Sequence, residues 1–400
     1  MPSRYDERDV RGNLQGTKTV KLGEHEASVS YELMRSDLII TRIPQHTPEW
    51  FDFRKNGIGG SDIGTVLGLN KYNTVMRLFH EKVGTLDIRK DDNELMFWGR
   101  ELEDKIADIW RFYDGTTDGY LENYRNGKVI RECRNVNGYI VNPQYPWLFA
   151  SVDRLMNISG GVNLITGAPL KTEGILECKG LSYWAAQIWA DGLPIYYLTQ
   201  IHQYMIILDT DYAEIAILQD GNRFRVEKIE RDDELCKRII DISESFWVNR
   251  ILPAKEAFAK KKEAEKQGNM GEMEKYEGVI QMHEPEPDNS AAYEEFMNER
   301  FLKTRESMEG TIDLFDLCKK DKVLKGVENI IDDARMGIKN TLITEMTKGG
   351  AESIDFGRLG VCNWSERKGS KNRTFNNRIR EKPTEEQLLK EFMKLNLDCY

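Results

Sequence analysis

The chain has 400 residues, is 40% hydrophobic and 31% charged, and carries a formal net charge of −10. That length predicts a main domain with appendages; no apolar run approaches the ~20 residues that span a bilayer, and the polar start Met1-Pro2-Ser3-Arg4 has no signal-peptide core, so no membrane association is expected. The acidic balance does not mark a nucleic-acid binder but does not exclude one, because phosphate contact depends on local clusters.

Residues 1–46 are polar, with short strand-like runs such as Asp37-Leu38-Ile39-Ile40, and read as an N-terminal extension. From residue 47 the pattern turns helical: Trp50, Phe53 and Ile58, then Ile63, Val66 and Leu67, recur near helical spacing. The run Gly57-Ile58-Gly59-Gly60-Ser61-Asp62 breaks it, and Ser61 is the expected N-cap of a helix reaching about Leu69. Residues 76–83 and 95–113 read as further helices. Strands are expected at 128–130, 138–141, 148–155 and 174–179, with a loop at 159–169. Helices follow at 182–190 and 196–208, strands at 213–218 and 223–226, and a helix at 232–250. This closes a mixed α/β core spanning 47–253. Residues 254–355 read as a charged helical extension, broken at Glu284-Pro285-Glu286-Pro287-Asp288. Residues 356–400 read as a basic hairpin and tail, carrying Arg358, Arg367, Lys368, Lys371, Arg373, Arg378, Arg380 and Lys382.

The chemistry concentrates at Asp153, in Phe149-Ala150-Ser151-Val152-Asp153, and at Glu177-Cys178-Lys179. Side chains alternate along a strand, so Glu177 and Lys179 face one way and Cys178 the other. With Asp153 on a neighbouring strand, two carboxylates meet, and hard oxygen donors suit Mg²⁺. The lysine beside them can orient or deprotonate a water, or stabilise phosphoryl charge. Taken alone, the pattern equally describes a surface strand with an ion pair.

Three further constellations stand near it in sequence. Arg54 shares a helix face with Trp50, and Ser61 opens the next helix after a glycine run; together they suit a terminal phosphate, or an ordinary capped turn between helices. Glu103 lies on a helix ahead of the strands, as a further carboxylate or as part of a solvated face with Glu101 and Asp104. Gln200 projects from the helix Tyr197-Leu198-Thr199-Gln200-Ile201-His202-Gln203-Tyr204 and can orient a water, whereas His202 reads as packed or surface rather than a metal ligand. The cysteines (133, 178, 236, 318, 362, 399) lie far apart, with no zinc-like or iron–sulfur spacing, and a disulfide framework would be denser. A reduced cytoplasmic setting is therefore expected.

In order, Trp-x3-Arg, Gly-Ile-Gly-Gly-Ser-Asp-Ile, Trp-Gly-Arg-x-x-Glu, Ala-Ser-Val-Asp, Leu-Glu-Cys-Lys and Gln-Ile-His-Gln resemble the YqaJ-type viral recombinase family over roughly residues 48–250. That family is similar to phage lambda exonuclease and has the PD-(D/E)XK nuclease fold. The resemblance implies an α/β core, a central mixed sheet flanked by helices, with a helical and β-hairpin C-terminal extension. It implies Mg²⁺ (with Mn²⁺ as substitute) on Asp153, Glu177, the Cys178 carbonyl and Glu103, with Lys179 acting on the attacking water and Gln200 beside it. It implies a 5′-phosphate pocket of Arg54, Ser61 and Ser151. The expected activity is 5′→3′ exonucleolytic degradation of linear double-stranded DNA, leaving 3′ overhangs for recombination with a single-strand annealing protein. Lambda-like members form ring-shaped trimers; the added length at residues 1–46 and 251–400 departs from that compact pattern. The alternatives are a structure-specific endonuclease or a nuclease of other polarity on the same fold, and a non-catalytic DNA-binding scaffold. In a phage or prophage setting the location would be the host cytoplasm.

Overall fold

Short apolar runs between turn residues become two antiparallel-rich sheets in the computed structural model. It describes residues 17–22, 25–30, 38–41, 43, 47–87, 93–136, 138–156, 174–189, 192–300, 307–366, 373–379 and parts of 383–393. The expected loop at 159–169 and Arg367, Lys368, Lys371, Arg380 and Lys382 of the expected basic tail lie outside these residues.

The chain runs β1 (Thr17–Leu22), β2 (His25–Ser30), β3 (Ile39–Thr41), α1 (Pro48–Arg54), α2 (Gly60–Val66), α3 (Val75–Val83), α4 (Glu94–Trp110) and α5 (Thr117–Arg125). Then come β4 (Cys133–Arg134), β5 (Tyr139–Val141), β6 (Phe149–Ala150), β7 (Arg154–Met156), β8 (Gly174–Leu181), α6 (Tyr183–Ile188), α7 (Ile195–Leu208), β9 (Tyr212–Gln219), β10 (Arg223–Glu230) and α8 (Asp233–Phe246). Helices α9 (Leu252–Lys266), α10 (Met270–Met282) and α11 (Ala291–Arg300) complete the first of two compact units, residues 1–302.

One sheet has the order β1-β2-β3-β5-β6 and the other β10-β9-β8-β7-β4. The strand expected over 148–155 is broken in two, because its halves serve different sheets. Phe149 and Ala150 pair with Val141 and Ile140, while Arg154–Met156 pair with Leu176–Gly174. Asp153 stands at the start of the second half. In the second sheet only β8 and β9 run parallel, and α6 and α7 form the crossover that a parallel pair requires. The sheet is therefore mixed, with helices on both faces, which is the α/β architecture implied by the resemblance. Ile39–Thr41 pairs with Val141–Tyr139, so the first sheet draws on chain upstream of residue 47.

Alternation along β8 divides the core. Ile175 joins Ile201, Met205, Ala213, Ile215 and Ile217 under α7 and α2, whereas Leu176 and Cys178 join Ile106, Ala107 and Trp110 of α4. Each large side chain so buried stabilises the fold by ~1.5–3 kcal/mol. α4 is also tied by a buried polar knot: Glu214 on β9 accepts from Trp110 Nε1 (2.6 Å), Arg131 Nη1 (2.7 Å) and Tyr212 Oη (2.7 Å).

Two expectations fail for local reasons. Residues 128–130 are not a strand. The Ile130 and Arg131 N–H groups turn back onto the Arg111 carbonyl, and Val129 and Ile130 stay exposed. Ser61 is not the N-cap of α2; Gly59 is, and Asp62 reaches back to accept its N–H at 3.0 Å. The Pro-Glu-Pro break at 285–287 does separate helices, and the segment beyond it docks on α3. Thr74 Oγ1 donates to Asp288 (2.5 Å), Arg77 pairs with Glu299 (3.0 Å), and Arg300 Nη1 hydrogen-bonds His80 Nε2.

The second unit, residues 303–400, contains α12 (Ile312–Lys348) and a sheet of β11 (Ser353–Asp355), β12 (Gly360–Glu366) and β13 (Arg373–Ile379). Trp364 pairs across the hairpin with Phe375, and the Arg373 guanidinium lies 4.8 Å from the Trp364 ring centroid. Among the described residues, no helix is long and apolar enough to cross a membrane.

Candidate active site

The antiparallel register of β7 on β8 places Asp153 next to Glu177. The Cys178 N–H donates to Asp153 Oδ2 at 2.8 Å, which locks the aspartate to the strand that carries the glutamate. Glu177 is 2% exposed. Its Oε1 accepts from Lys179 Nζ at 2.6 Å and from Gln200 Nε2 at 2.9 Å, so β8 and α7 converge on one carboxylate oxygen. Gln200 Nε2 also lies 3.1 Å from Tyr204 Oη. The other oxygen, Glu177 Oε2, is buried with no hydrogen-bond partner among the described residues. A buried carboxylate oxygen without a partner is costly.

Glu103 approaches from α4. Arg154 Nη1 donates to its Oε1 at 2.7 Å, while Nη2 of the same guanidinium contacts Asp104. Glu103 is thus an ion-paired member of this cluster rather than part of a solvated face. Burial, the Asp153 charge and, more weakly, Glu103 push the Glu177 carboxyl up to about 7. Burial and Asp153 likewise push Glu103 up to about 7 against the pull of Arg154. Burial works against the Lys179 charge, but Glu177 and Asp153 outweigh it and hold the ammonium well above its ordinary range. Lys179 is therefore a cation here, a donor rather than a ready base. Its Nζ also sits 5.6 Å from the Tyr197 ring centroid.

Among the described residues, no three acid, histidine or cysteine side chains are already gathered tightly enough to enclose an ion. Each acid leans instead on the nearest donor: Asp153 on an amide, Glu177 on Lys179 and Gln200, Glu103 on Arg154. The donor set nonetheless fits a hard divalent cation. Its carboxylates destabilise one another's charge, and the unpartnered Glu177 Oε2 is an oxygen ligand in want of a positive partner.

A second cluster forms where α1 meets α2. Arg54 Nη2 donates to Ser61 Oγ (3.1 Å) and to Asp62 Oδ1 (3.1 Å), and its guanidinium stacks 5.0 Å from the Trp50 ring centroid. The i, i+4 spacing of Trp50 and Arg54 foretold that contact. Ser151 follows β6, and no hydrogen bond among the described residues joins it to Arg54 or Ser61. His202 is packed. Its Nδ1 meets the Leu198 carbonyl (2.7 Å), and its Nε2 accepts from the Asp232 N–H (3.1 Å).

Sequence reasoning missed Arg154 and Lys82, and gave no role to Asp62 or Tyr204 although both stand in the motifs it singled out. Lys82 on α3 is 3% exposed and donates to Asp62 Oδ2 at 2.7 Å. A tyrosine one turn after Gln200 was visible as spacing; nothing local marked Arg154 or Lys82. Gly60 gives Tyr204 its room, since a Cβ there would stand 2.4 Å from the ring.

Residues 49–213 match the family model of the YqaJ-like viral recombinase domain. Over 248 residues the chain is 29% identical to the uncharacterized protein YqaJ of Bacillus subtilis (strain 168), covering 59% of this chain and 69% of that protein. Among solved structures it is similar to the alkaline exonuclease LHK-Exo of Laribacter hongkongensis, at 21% identity and a TM-score of 0.40, covering 55% of this chain and 99% of that one. A phage-related exonuclease of Haemophilus somnus 129PT gives 15% identity and a TM-score of 0.30, covering 47% and 91%.

Proposed function

Starting from a chain whose residues 49–213 match the YqaJ-like viral recombinase domain, we propose that the protein is a Mg²⁺-dependent 5′→3′ exonuclease acting on linear double-stranded DNA. The observation that carries this reading is the buried Glu177, with one oxygen unpartnered, beside Asp153 and a cationic Lys179.

Asp153, Glu177 and the Cys178 carbonyl would hold the cation, with Glu103 at its margin. When bound, Mg²⁺ (or Mn²⁺ in its place) supplies Lewis-acid charge beside the scissile phosphate. The chain's own residues do the rest. Lys179 donates a charged hydrogen bond that orients the attacking water and offsets negative charge growing on the phosphoryl oxygens. Gln200 fixes Glu177 Oε1, so the free Oε2 keeps its aim. Tyr204 is held as the neutral phenol by burial and by the Glu177 and Asp153 charges. Arg54 and Ser61, with Ser151, would bind the 5′-terminal phosphate, so that cutting proceeds in one direction and leaves a 3′ single strand. That product is the substrate of a single-strand annealing protein, and a ring-shaped trimer around the duplex would give processivity. For a phage- or prophage-encoded protein the setting is the host cytoplasm.

The test is digestion of linear duplex DNA with Mg²⁺, comparing 5′-phosphate with 5′-hydroxyl ends, beside a closed circle and a Lys179→Ala control. Stepwise loss from 5′-phosphorylated ends, at least ~100-fold reduced in the mutant, is the expected result. Nicking of the circle would make the protein an endonuclease, and binding without cleavage would make it a scaffold.

A further inference from the structure

Arg54 shares its carboxylate partner with a second cation. Asp62 accepts from Arg54 Nη2 through Oδ1, and from Lys82 Nζ and the Gly59 N–H through Oδ2. The same Lys82 ammonium donates to the Arg54 carbonyl at 2.7 Å, so it grips both the acid and the arginine's own backbone. The Phe149 ring lies 5.7 Å from Nζ. Lys255 of α9 secures the end of α1 from the other side, donating to the Lys55 carbonyl (2.9 Å) and to Asn56 Oδ1 (3.1 Å).

Charge accounting gives this arrangement a purpose. Within this triad one carboxylate and two cations leave a net single positive charge; Glu81 of α3 also acts on both cations, but its carboxylate is engaged by Arg77 Nε at 3.6 Å. The Lys82 side chain is 4% exposed and that of Arg54 is 24% exposed, so only the arginine presents the surplus to solvent. Without Lys82, Asp62 would neutralise Arg54 completely, and an arriving anion would meet a closed ion pair. Without both Asp62 and Lys82, the Arg54 charge would again stand without Asp62 to offset it.

We propose that Lys82 is a positioning residue for recognition of the 5′-terminal phosphate: it engages Asp62 so that this acid does not offset the positive charge of the Arg54 guanidinium, which stays oriented for the anionic end. This rests on the reading of Arg54 and Ser61 as the pocket for that phosphate. Lys82 itself touches no DNA. It sets the strength of the pocket from within, through a buried acid.

The experiment uses the full chain and reads the ratio of digestion rates on duplexes with 5′-phosphate and 5′-hydroxyl ends. Wild type is compared with Arg54→Ala, Lys82→Met, Lys82→Arg and the double variant Asp62→Asn with Lys82→Met, and melting curves confirm folding of each. Lys82→Met is expected to lower the ratio about tenfold, the equivalent of about 1.4 kcal/mol. Lys82→Arg should retain most of the ratio. The double variant should recover most of it, because no acid remains to neutralise Arg54; a merely structural role for the pair would predict no such recovery. If Lys82→Met fails to fold, Lys82→Gln takes its place, and the proposal again requires a lowered ratio in the single variant and its recovery when Asp62→Asn is added. A double variant that folds with the ratio of Arg54→Ala overturns it while leaving the pocket intact. So does a Lys82→Met ratio equal to wild type. A wild-type ratio of one overturns the pocket, and this proposal with it.

Discussion

Glu177 sits where a carboxylate is least comfortable, buried beside Asp153 and near Glu103, with Oε2 unmatched. A divalent cation would convert that liability into binding energy. Thermal unfolding is therefore expected to shift upward with millimolar Mg²⁺, following mass action, by about 2.7 kcal/mol when the ion stands at a hundred times its dissociation constant. Glu177→Gln removes the buried charge, so above pH 7 and without Mg²⁺ it should melt a few degrees higher than wild type, at ~2–4 °C per kcal/mol. The same variant should lose most of the Mg²⁺ shift. A Glu177→Gln protein that keeps the full shift would remove Glu177 from the cation site. This carboxylate was legible in the sequence because period-two alternation alone puts Glu177 and Lys179 on one face. Arg154 and Lys82 were not. Their acids lie 51 and 20 residues away, at Glu103 and Asp62, and only the folded chain brings them within reach.

The junction of α3 with α11 rests on a histidine that must stay neutral. His80 is 2% exposed, meets Thr85 Oγ1 through Nδ1 (2.7 Å), and has Arg300 and Glu284 at Nε2, the latter 3.1 Å away. Burial first, and then Arg300, lower its pKa to about 4. The unfolded chain takes up a proton near 6.5, which the folded chain refuses. The stabilisation from His80 is therefore complete above about pH 6.5 and is lost as pH falls towards about 4. Amide hydrogen exchange, corrected for the intrinsic effect of pH, should show α11 less protected at pH 5 than at pH 7. Equal protection would show that the docking does not depend on a neutral His80. At this scale the sequence spoke clearly through periodicity, which located α3, α4, α7, β8 and β9 closely. It misled where an apolar run had another use. Val129 and Ile130 lie on the surface, and the 148–155 run splits because Ile58 bridges to Leu148 while Leu176 claims Arg154. Those partners are distant in sequence, and no local propensity anticipates them.

Across the first unit, the knot at Glu214 joins α4 to the sheet, and through α4 it holds Glu103 against Arg154. Glu214→Ala is expected to destabilise the fold by about 3 kcal/mol, because Arg131 would be left without its acid and Trp110 Nε1 without its acceptor. Denaturant unfolding would measure this, and a loss below ~0.5 kcal/mol would show that solvent replaces the carboxylate. The mixed α/β class could be read from the order of helices and strands; the assignment of β6 and β7 to separate sheets could not, since it depends on pairings made across the whole unit. The parallel pairing of β8 with β9 also governs when the site comes into being. A growing chain already contains Asp153, Glu177 and Lys179 before the residues of β9 are added, at ~5–20 residues per second. Until then β8 lacks one of its two neighbours and α7 has no strand to return to. The site is thus a late product of synthesis, and a half-made chain carries these three residues without the geometry that gives them meaning.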